Sequence, residues 1–200
     1  MMNESPLSID VRAMQLSDAQ AIHELDYSFE TDRLYALHVL DCMITSEATE
    51  HLSSLSFELR ETPLDRPLYK DYHAFAGSLA EVESILRDVD GGYTALAGGQ
   101  VAGVILLNVE AWRSVALIEH IIVGRQFRRY GIGSLLLNCA DDWARKSGCW
   151  AIVLETQNVN YPAIQFYLRN GLEVWSIGHH FYPPGPVEHE VAVFMGKKLR

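Results

Sequence analysis

The sequence predicts a mixed α/β fold in which a central β-sheet is flanked by helices, and three observations indicate it. Strand patterns follow one another over residues 93–123 and are joined by short turns, which is typical of an antiparallel meander. Helical and strand patterns then alternate over residues 132–169. Neither an internal repeat nor a low-complexity linker divides the 200 residues, so we expect one domain over residues 1–200.

The first half of the chain begins with a strand pattern followed by a helical one. Apolar residues alternate over residues 7–13, which predicts a strand. A capping-box pattern from Ser17 to Gln20 predicts a helix that ends near Tyr27. The other elements predicted in this half are strands over residues 35–40 and 56–62, a polar connection over residues 45–54, and a helix that starts at a Ser78–Glu81 capping box and stops at Gly91.

The second half contains the strand meander and two helical patterns. Gly148 and Gly171 each follow a helical pattern and predict where it ends. The predicted elements are strands over residues 93–97, 101–109 and 115–123, a helix over 132–146, a strand over 151–156, a helix over 162–169, and strands over 172–181 and 187–195.

Charge is distributed unevenly along the chain, whose formal net charge is −10. Residues 1–95 hold 18 acidic and 6 basic side chains, whereas residues 96–200 hold 8 and 10. This difference favours an anion site on the C-terminal side and a cation site on the N-terminal side, although acids scattered over a solvated surface explain the first half equally well. Because no extended basic stripe is present, we expect no nucleic-acid partner.

Other patterns argue against a membrane protein and against a metal site. No apolar run reaches the roughly 18 residues of a membrane span, and the first ten residues lack the basic and apolar regions of a leader, so we expect a cytoplasmic protein. Cys42, Cys139 and Cys149 show no CxxC spacing, and the 8 histidines show no HExxH pattern. We therefore expect buried thiols, with neither a disulfide framework nor a bound metal.

The stretch RQFRRYGIGS, residues 125–134, places three arginines beside a glycine turn at the start of a predicted helix. The first N–H groups of a helix lack intrahelical partners and the dipole adds roughly half a positive charge, so phosphates bind there readily. The two glycines let the backbone approach an anion, and the arginines add charged donors. A tight turn with solvated arginines is the simpler alternative. The spacing fits neither a P-loop nor GxGxxG, since position 136 is Leu.

Two motifs in regular order carry a resemblance to a known superfamily. Arg128-x-x-Gly131-x-Gly133 lies between a strand and a helix, and the next strand is followed by Asn160-x-x-Ala163-x-x-x-Tyr167. Together they are similar to the GNAT (Gcn5-related N-acetyltransferase) superfamily. The resemblance implies a GNAT acyl-CoA N-acyltransferase fold, acetyl-CoA as cofactor, and acetyl transfer to a primary amine by direct attack in a ternary complex. It assigns about residues 96–200 to acetyl-CoA and about residues 1–95 to the substrate.

The same resemblance implies which residues bind the cofactor. Backbone N–H groups of residues 128–134 would bind the pyrophosphate, and the backbone of residues 121–123 would pair with the pantetheine arm as a strand does. Arg125 would lie near the 3′-phosphate. The implied cofactor-binding residues are Ile121, Ile122, Val123, Arg128, Arg129, Tyr130, Gly131, Ile132, Gly133, Ser134, Asn160, Ala163 and Tyr167.

Three further stretches resemble a narrower group. DAQAIHELDYSFETDRLYAL (residues 18–37), FELRETPLDRPLYKDY (residues 57–72) and LETQNVNYPAIQFYLRNGL (residues 154–172) are similar to streptothricin, or nourseothricin, acetyltransferases. Residues 73–90 depart from that group, because they carry a helical pattern in place of a strongly acidic insertion. The resemblance implies a small polycationic amine as acceptor and a role in antibiotic resistance.

Acetyl transfer to an amine needs a base, because deprotonating an amine of pKa near 10.4 at pH 7 costs roughly 4.6 kcal/mol. Glu119 is the first candidate, since it lies in a strand two residues before Ile121, and Glu155 at the end of the next strand is the second. The structural alternative is a contact with a neighbouring loop for Glu119, and a salt bridge or a cap for Glu155. Tyr167 is the candidate general acid for the departing thiolate, or else a core aromatic. His120 would point away from Glu119 in a regular strand, so we expect a structural role for it.

Acids and aromatic residues surround the predicted end of the first helix, where they suit a cationic amine. A capped and solvated loop is the alternative. The candidate substrate-binding residues are Asp26, Tyr27, Glu30, Asp32, Tyr35 and, before the proline turn, Tyr182. A protein lysine or N-terminus is the alternative acceptor, and a sensor that holds acetyl-CoA without turnover is the alternative function. Exposed apolar strands in the C-terminal hairpin would favour a homodimer.

Overall fold

The computed structural model describes residues 8–45, 50–72 and 77–199, without the side chains of residues 41–45 and 50–54. Within these ranges it contains nine strands, four α-helices and two short 3-10 helices. The strands are β1 (Ile9–Ala13), β2 (Phe29–Thr45), β3 (Glu50–Lys70), β4 (Gly91–Ala97), β5 (Gln100–Glu110), β6 (Val115–Val123), β7 (Ala151–Gln157), β8 (Glu173–Gly178) and β9 (Ala192–Lys198). The α-helices are α1 (Ala19–His23), α2 (Leu79–Asp88), α3 (Ile132–Lys146) and α4 (Tyr161–Arg169).

Seven strands form one mixed sheet in the order β1-β4-β5-β6-β7-β9-β8. Neighbouring strands are antiparallel, except β6 and β7, which are parallel. The parallel pairing joins residues 115–117 of β6 to residues 151–153 of β7, and beyond these residues the two strands part. A gap therefore opens between their carboxyl ends.

The central strand β5 is buried on both faces of the sheet. Ile105 and Leu107 pack with α3 on one face, and Val104 and Leu106 pack with α1 and α2 on the other. Helix α3 presents apolar side chains such as Leu136, which is fully buried, to the first of these clusters. Each buried side chain of this size contributes roughly 1.5–3 kcal/mol relative to exposure, so the two helical layers fix the sheet firmly.

Strands β2 and β3 form a separate two-stranded ribbon. Its base is tied to the body at Tyr35, whose N–H donates to the carbonyl oxygen of Asn158 at 3.1 Å and whose carbonyl accepts from the Asn158 side chain at 2.8 Å. The Tyr35 ring packs against Tyr161 of α4 with a centroid distance of 5.5 Å. The base of the ribbon therefore lies beside the open end of β7.

Several predicted elements are confirmed. The helix over residues 132–146 and the strand over residues 115–123 agree with the structure at both ends. The capping box at Ser78 is also present, because the Ser78 N–H donates to the Glu81 carboxylate at 2.6 Å and its hydroxyl accepts from the Glu81 N–H at 3.4 Å.

The first helix differs from its prediction. It ends at His23, and its start is held by Asp18, whose carboxylate accepts the N–H of Gln15 at 3.0 Å. The same carboxylate binds Arg12 at 2.6 Å and the Thr94 hydroxyl at 2.8 Å. These contacts from β1 and β4 fix the helix start, so the predicted capping box at Ser17 does not form.

Two strand boundaries are also wrong in the prediction. The connection expected over residues 45–54 is largely strand, because β2 runs to Thr45 and β3 starts at Glu50, with residues 46–49 outside the described ranges. The last strand begins at Ala192 and not at residue 187. The reason is that Val191 exchanges hydrogen bonds with Asn158, at 2.8 and 2.9 Å, before the strand ladder starts.

Membrane spans, metal sites and thiols can be assessed over the same described ranges. In that part of the chain no helix is both long and apolar enough to cross a membrane. Nor do three or more His, Cys, Asp or Glu side chains of the described residues meet in a way that could hold a metal ion. Cys149 is a buried free thiol and Cys139 a half-buried one, whereas the side chain of Cys42 lies outside the described residues.

Candidate active site

A cleft of about 900 Å³ opens where β6 and β7 part. Its walls are residues 119–123 of β6, the loop that precedes α3, the end of β7 and the first turns of α4. Side chains of α1, α2 and the base of the ribbon close the opposite side. The volume lies in the range of cofactor and small-molecule sites, so this cleft is the candidate active site.

The loop of residues 128–134 presents its backbone to one end of the cleft. Arg129 and Gly131 both adopt left-handed conformations, with φ of +70° and +81°, immediately before α3 starts at Ile132. Left-handed residues in a turn are typical of backbone segments whose N–H groups point toward one side and bind anions. A Cβ at Gly131 would meet no atom within 4 Å. The loop therefore has both the donors and the room for a phosphate group.

The side chain of Arg128 holds this loop in place. Its Nε donates to the carbonyl oxygen of Val123 at 2.9 Å, and its Nη1 and Nη2 donate to the carbonyl oxygens of Ser28 at 2.6 Å and Asp26 at 3.4 Å. Burial lowers the pKa of the guanidinium, and the Asp26 carboxylate opposes this effect. The side chain thus ties the loop to the segment after α1, which differs from the free phosphate donor that the sequence led us to expect.

Replacing Arg128 by Met is expected to lower the free energy of unfolding by at least about 2 kcal/mol, because the carbonyl groups it binds lose their charged donors. Equilibrium urea unfolding measures this change. Arg129→Met, which alters an exposed side chain of the same loop, is the control and should stay within about 0.5 kcal/mol of the wild type. Equal stability of the two variants would contradict a structural role for Arg128.

Gly133 is small because helix α4 packs against it. A Cβ at this position would lie 2.8 Å from Cζ of Phe166, so a larger residue would displace the Phe166 ring. Gly133 also lines the cleft, so this packing is compatible with the predicted approach of an anion to its backbone. Arg125 is exposed, and its Nη1 lies 3.4 Å from the Ser28 hydroxyl.

A β-bulge in β6 places two polar side chains in the cleft. The register of the β5–β6 pair shifts after Leu106, which opposes His120, and Glu119 is the extra residue. Both Glu119 and His120 line the cleft, so the prediction that His120 faces away is wrong. The Asn108 amide donates to Oε1 of Glu119 at 2.9 Å. Desolvation in the cleft lowers the pKa of His120, while the negative charge of Glu119 acts in the opposite direction. Because the pKa is lowered overall, the imidazole is neutral at pH 7.

Helix α4 brings the residues of the second motif to the cleft. Asn160 caps the helix by accepting the N–H of Ala163 at 3.4 Å. Tyr167 is 7% exposed and lines the cleft one turn further along the helix. Burial raises the pKa of the Tyr167 phenol, and the charge of Glu155 adds to this shift. The phenol is therefore protonated at neutral pH, as a proton donor has to be.

A polar cluster, which we call the β7 cluster, lies at the end of β7 and consists of Lys70, Tyr72, Glu155, Gln157, Tyr182 and Glu190. The Tyr182 hydroxyl donates to the Glu155 carboxylate, and the Tyr72 hydroxyl donates to Oε1 of Gln157 at 2.6 Å. Burial raises the pKa of Glu155, while the hydrogen bond from Tyr182 opposes the shift. Lys70, Tyr72, Gln157 and Glu190 were not predicted, because contacts across 85 and 120 residues leave no local signal in the sequence.

Two of the predicted substrate-binding residues, Tyr27 and Tyr182, line the cleft. The Tyr27 hydroxyl donates to the carbonyl oxygen of Ile22 at 2.5 Å, and burial raises its pKa to about 12. Tyr27 therefore offers the cleft its ring, whereas Tyr182 offers a hydroxyl that is already bonded to Glu155.

The other four predicted substrate-binding residues lie elsewhere. Glu30 and Asp32 border a separate shallow groove of about 480 Å³ beside α4. Asp26 is exposed and accepts the N–H of Ser28 at 2.8 Å, in the turn that Arg128 binds. Tyr35 packs against α4 as described above. The early end of α1 explains the difference, because it places these residues on the ribbon and its approach and not on a helix that faces the cleft.

Comparison with known proteins settles the family. The family described as "Acetyltransferase (GNAT) family" matches residues 47–172. The chain belongs to the GNAT acetyltransferase family. It is an N-acetyltransferase that uses acetyl-CoA, and its mixed sheet with flanking helices is the GNAT fold.

Several relatives of this GNAT protein are similar over most of their length. A streptothricin acetyltransferase of Streptomyces lavendulae is 32% identical over 188 residues, which cover 93% of each chain. One of Escherichia coli is 33% identical over 146 residues, covering 72% of this chain and 78% of the other. The crystal structure of a nourseothricin acetyltransferase superimposes with a TM-score of 0.77 at 27% identity, covering 96% of this chain and 99% of that one.

A further solved structure contains the cofactor. It is a Bacillus anthracis protein assigned as a streptothricin acetyltransferase, solved in complex with acetyl coenzyme A, with a TM-score of 0.74 and 27% identity over 96% of this chain and 98% of that one. The cleft fits the same group, because Gly131 leaves room beside the N–H groups of the loop and the backbone of β6 is unpaired with β7 beyond residue 117.

Proposed function

We propose that this N-acetyltransferase acetylates a primary amine of a small cationic molecule, with a streptothricin-like antibiotic as the leading acceptor and antibiotic resistance as the resulting role. The observation that carries the proposal is that two carboxylates, Glu119 and Glu155, line the cleft from the ends of the two parted strands. Carboxylates attract an alkylammonium group and repel an anionic acceptor. The names of the full-length relatives support the same acceptor class.

In the proposed complex, the loop and β6 hold the cofactor. The N–H groups of residues 128–134 bind the pyrophosphate, the backbone of residues 121–123 pairs with the pantetheine arm, and Asn160 and Ala163 at the start of α4 border it. Bound acetyl-CoA supplies a thioester whose acyl carbon the amine attacks. An N–H near Ile121 stabilises the negative charge that develops on the acyl oxygen.

Proton transfers in the proposed mechanism are assigned to side chains of the cleft. Glu119 takes a proton from the acceptor ammonium, because its carboxylate lies at the bulge beside the unpaired backbone of β6. Glu155 is the second candidate for this role. Tyr167 donates its phenolic proton to the departing thiolate, and recovers a proton from the attacking nitrogen, which after the attack carries one proton more than the amide product; the proton on Glu119 passes to water. The hydrogen bond from Asn108 orients Glu119.

The acceptor class is tested by initial rates of thiol release from acetyl-CoA over a panel of amines. The panel holds streptothricin, simple diamines, lysine-containing peptides and peptides with free N-termini. We expect streptothricin or another small polycation to give the highest kcat/KM. Higher kcat/KM for the peptides would replace this proposal by protein acetylation, and thiol release with none of them would leave acetyl-CoA binding without turnover.

We further propose that residues 1–200 form a single domain, with the acceptor on the side of residues 1–95, and that the protein works in the cytoplasm, where acetyl-CoA is available.

The exposed apolar side chains of the C-terminal hairpin support a homodimer. Val174 on β8 is 41% exposed, and Phe181, which follows that strand, is 54% exposed.

A further inference from the structure

The β7 cluster contains two carboxylates, those of Glu155 and Glu190, and one ammonium group, that of Lys70. Lys70 Nζ lies 2.5 and 2.6 Å from the two carboxylate oxygens of Glu190, and both side chains are mostly buried, with 13% and 14% exposed. Lys70 also lies over the Tyr72 ring, 5.0 Å from its centroid. The group as a whole therefore carries one uncompensated negative charge.

That negative charge belongs to Glu155. Within the described part of the chain its carboxylate accepts a hydrogen bond from Tyr182 and has no ion-pair partner. Lys70 and Glu190 both act on it electrostatically, with opposite signs. Glu155 and Lys70 both line the cleft, whereas Glu190, which binds Lys70, does not. A carboxylate that is partly buried, faces a cleft and lacks a cation attracts an alkylammonium group.

We propose that Glu155 binds the ammonium group of the acceptor, and that Glu190 is a positioning residue which keeps Lys70 from occupying Glu155 itself. The inference rests on the proposed function, because it requires a cationic acceptor in this cleft. Lys70 is a primary ammonium at the end of β3, close enough for its charge to act on Glu155. The bidentate contact with Glu190 holds Lys70 in place. The charge of Glu155 is therefore neutralised by the ammonium group of the acceptor and not by Lys70.

The proposal predicts that the two halves of one ion pair have opposite effects on acceptor binding. In Glu190→Gln, Lys70 loses its partner and turns to Glu155, so the acceptor KM rises about tenfold or more. In Lys70→Met, a second carboxylate is left unpaired and the acceptor KM stays equal or falls. In the double variant, Glu155 is again the single free carboxylate, and the acceptor KM returns to within about threefold of the wild type. Glu155→Gln raises the acceptor KM as Glu190→Gln does.

The experiment measures kcat and KM for the acceptor and for acetyl-CoA in all four variants, using the cationic amine with the highest rate in the panel above. The KM for acetyl-CoA should stay unchanged throughout, since the hydrogen bonds and the ion pair described for the β7 cluster join its own residues and none of residues 128–134. Asp142→Asn, which removes an exposed carboxylate from another ion pair on α3, is the control and should leave every constant unchanged.

A purely structural ion pair gives a different result. In that case both single variants raise the acceptor KM or reduce kcat in the same direction, and the double variant is no better than either, which would overturn the proposal. If Lys70→Met does not fold because it leaves a buried charge unpaired, the comparison of Glu190→Gln with the double variant decides the question by the same criterion. If the wild type acetylates no amine, the proposed function fails instead, which distinguishes the two failures.

Discussion

Replacing Glu119 by Gln is expected to lower kcat/KM for the amine by about 10²- to 10⁴-fold, the usual contribution of a general base. The amide cannot take a proton, so the acceptor has to lose its proton to water before it attacks. The fold should be preserved, because the Gln carbonyl can still accept the hydrogen bond from Asn108. Steady-state rates of thiol release, with acetyl-CoA binding measured separately, check the prediction.

The matched control for this variant is Glu110→Gln. Glu110 lies at the end of β5 in the same hairpin, but it pairs with Arg113 at the surface and does not line the cleft. Its replacement should leave kcat/KM within about twofold of the wild type, because changes at such surface sites are small. A Glu119→Gln enzyme that retains the full rate would remove Glu119 from the mechanism and direct attention to Glu155 or His120.

Replacing Gly131 by Val is expected to weaken acetyl-CoA binding by about 10²-fold. A β-branched residue is disfavoured at φ of +81°, so the loop shifts and its N–H groups lose their alignment. Losing one or two hydrogen bonds to a charged phosphate costs about 1.5–3 kcal/mol each, which corresponds to this change in affinity. Isothermal titration with acetyl-CoA gives the dissociation constant.

The chain offers a control with the same backbone cost. Gly148, which follows α3, has φ of +76°, and a Cβ there would also meet no atom within 4 Å. We expect Gly148→Val and Gly131→Val to lower the free energy of unfolding equally, by about 1–2 kcal/mol or more. Gly148→Val should leave acetyl-CoA binding unchanged. Equal affinity in the two variants would show that the loop of residues 128–134 does not bind the cofactor.

The features that sequence predicts well in this protein are local ones. The helix over residues 132–146 has an apolar period, a left-handed glycine before it and a glycine after it, so both ends are marked. The order of strand, glycine loop, helix, strand and Asn-capped helix was enough to indicate a GNAT protein and its cofactor. Local signals of this kind depend on a few neighbouring residues and not on the tertiary contacts around them.

The bulge in β6 was missed although the sequence contains a sign of it. Glu119 and His120 are adjacent polar residues inside an apolar strand, and strict alternation would bury one of them. The extra residue in the ladder resolves this conflict by bringing both side chains to the cleft. Two neighbouring polar residues within such a strand therefore indicate a bulge, and a candidate catalytic position, more directly than either residue does alone.

Contacts between distant residues were beyond reach from the sequence. Arg128 looked like a phosphate ligand because its motif suggested one, and its binding to carbonyl groups a hundred residues away depends on how the turn after α1 meets the loop. The Lys70–Glu190 pair likewise exists because the end of the ribbon and the approach to β9 meet beside β7. Neither contact can be predicted from the local sequence around the residues, because each depends on how two distant segments pack.

The most direct test of the account combines the purified protein, acetyl-CoA and streptothricin in one reaction. Thiol release is followed by absorbance and the antibiotic is examined by mass spectrometry. We expect one free thiol for each acetylated antibiotic molecule, and a lower rate of thiol release in Glu119→Gln than in the wild type. Binding of acetyl-CoA without thiol release, for streptothricin and for the other amines of the panel, would contradict it.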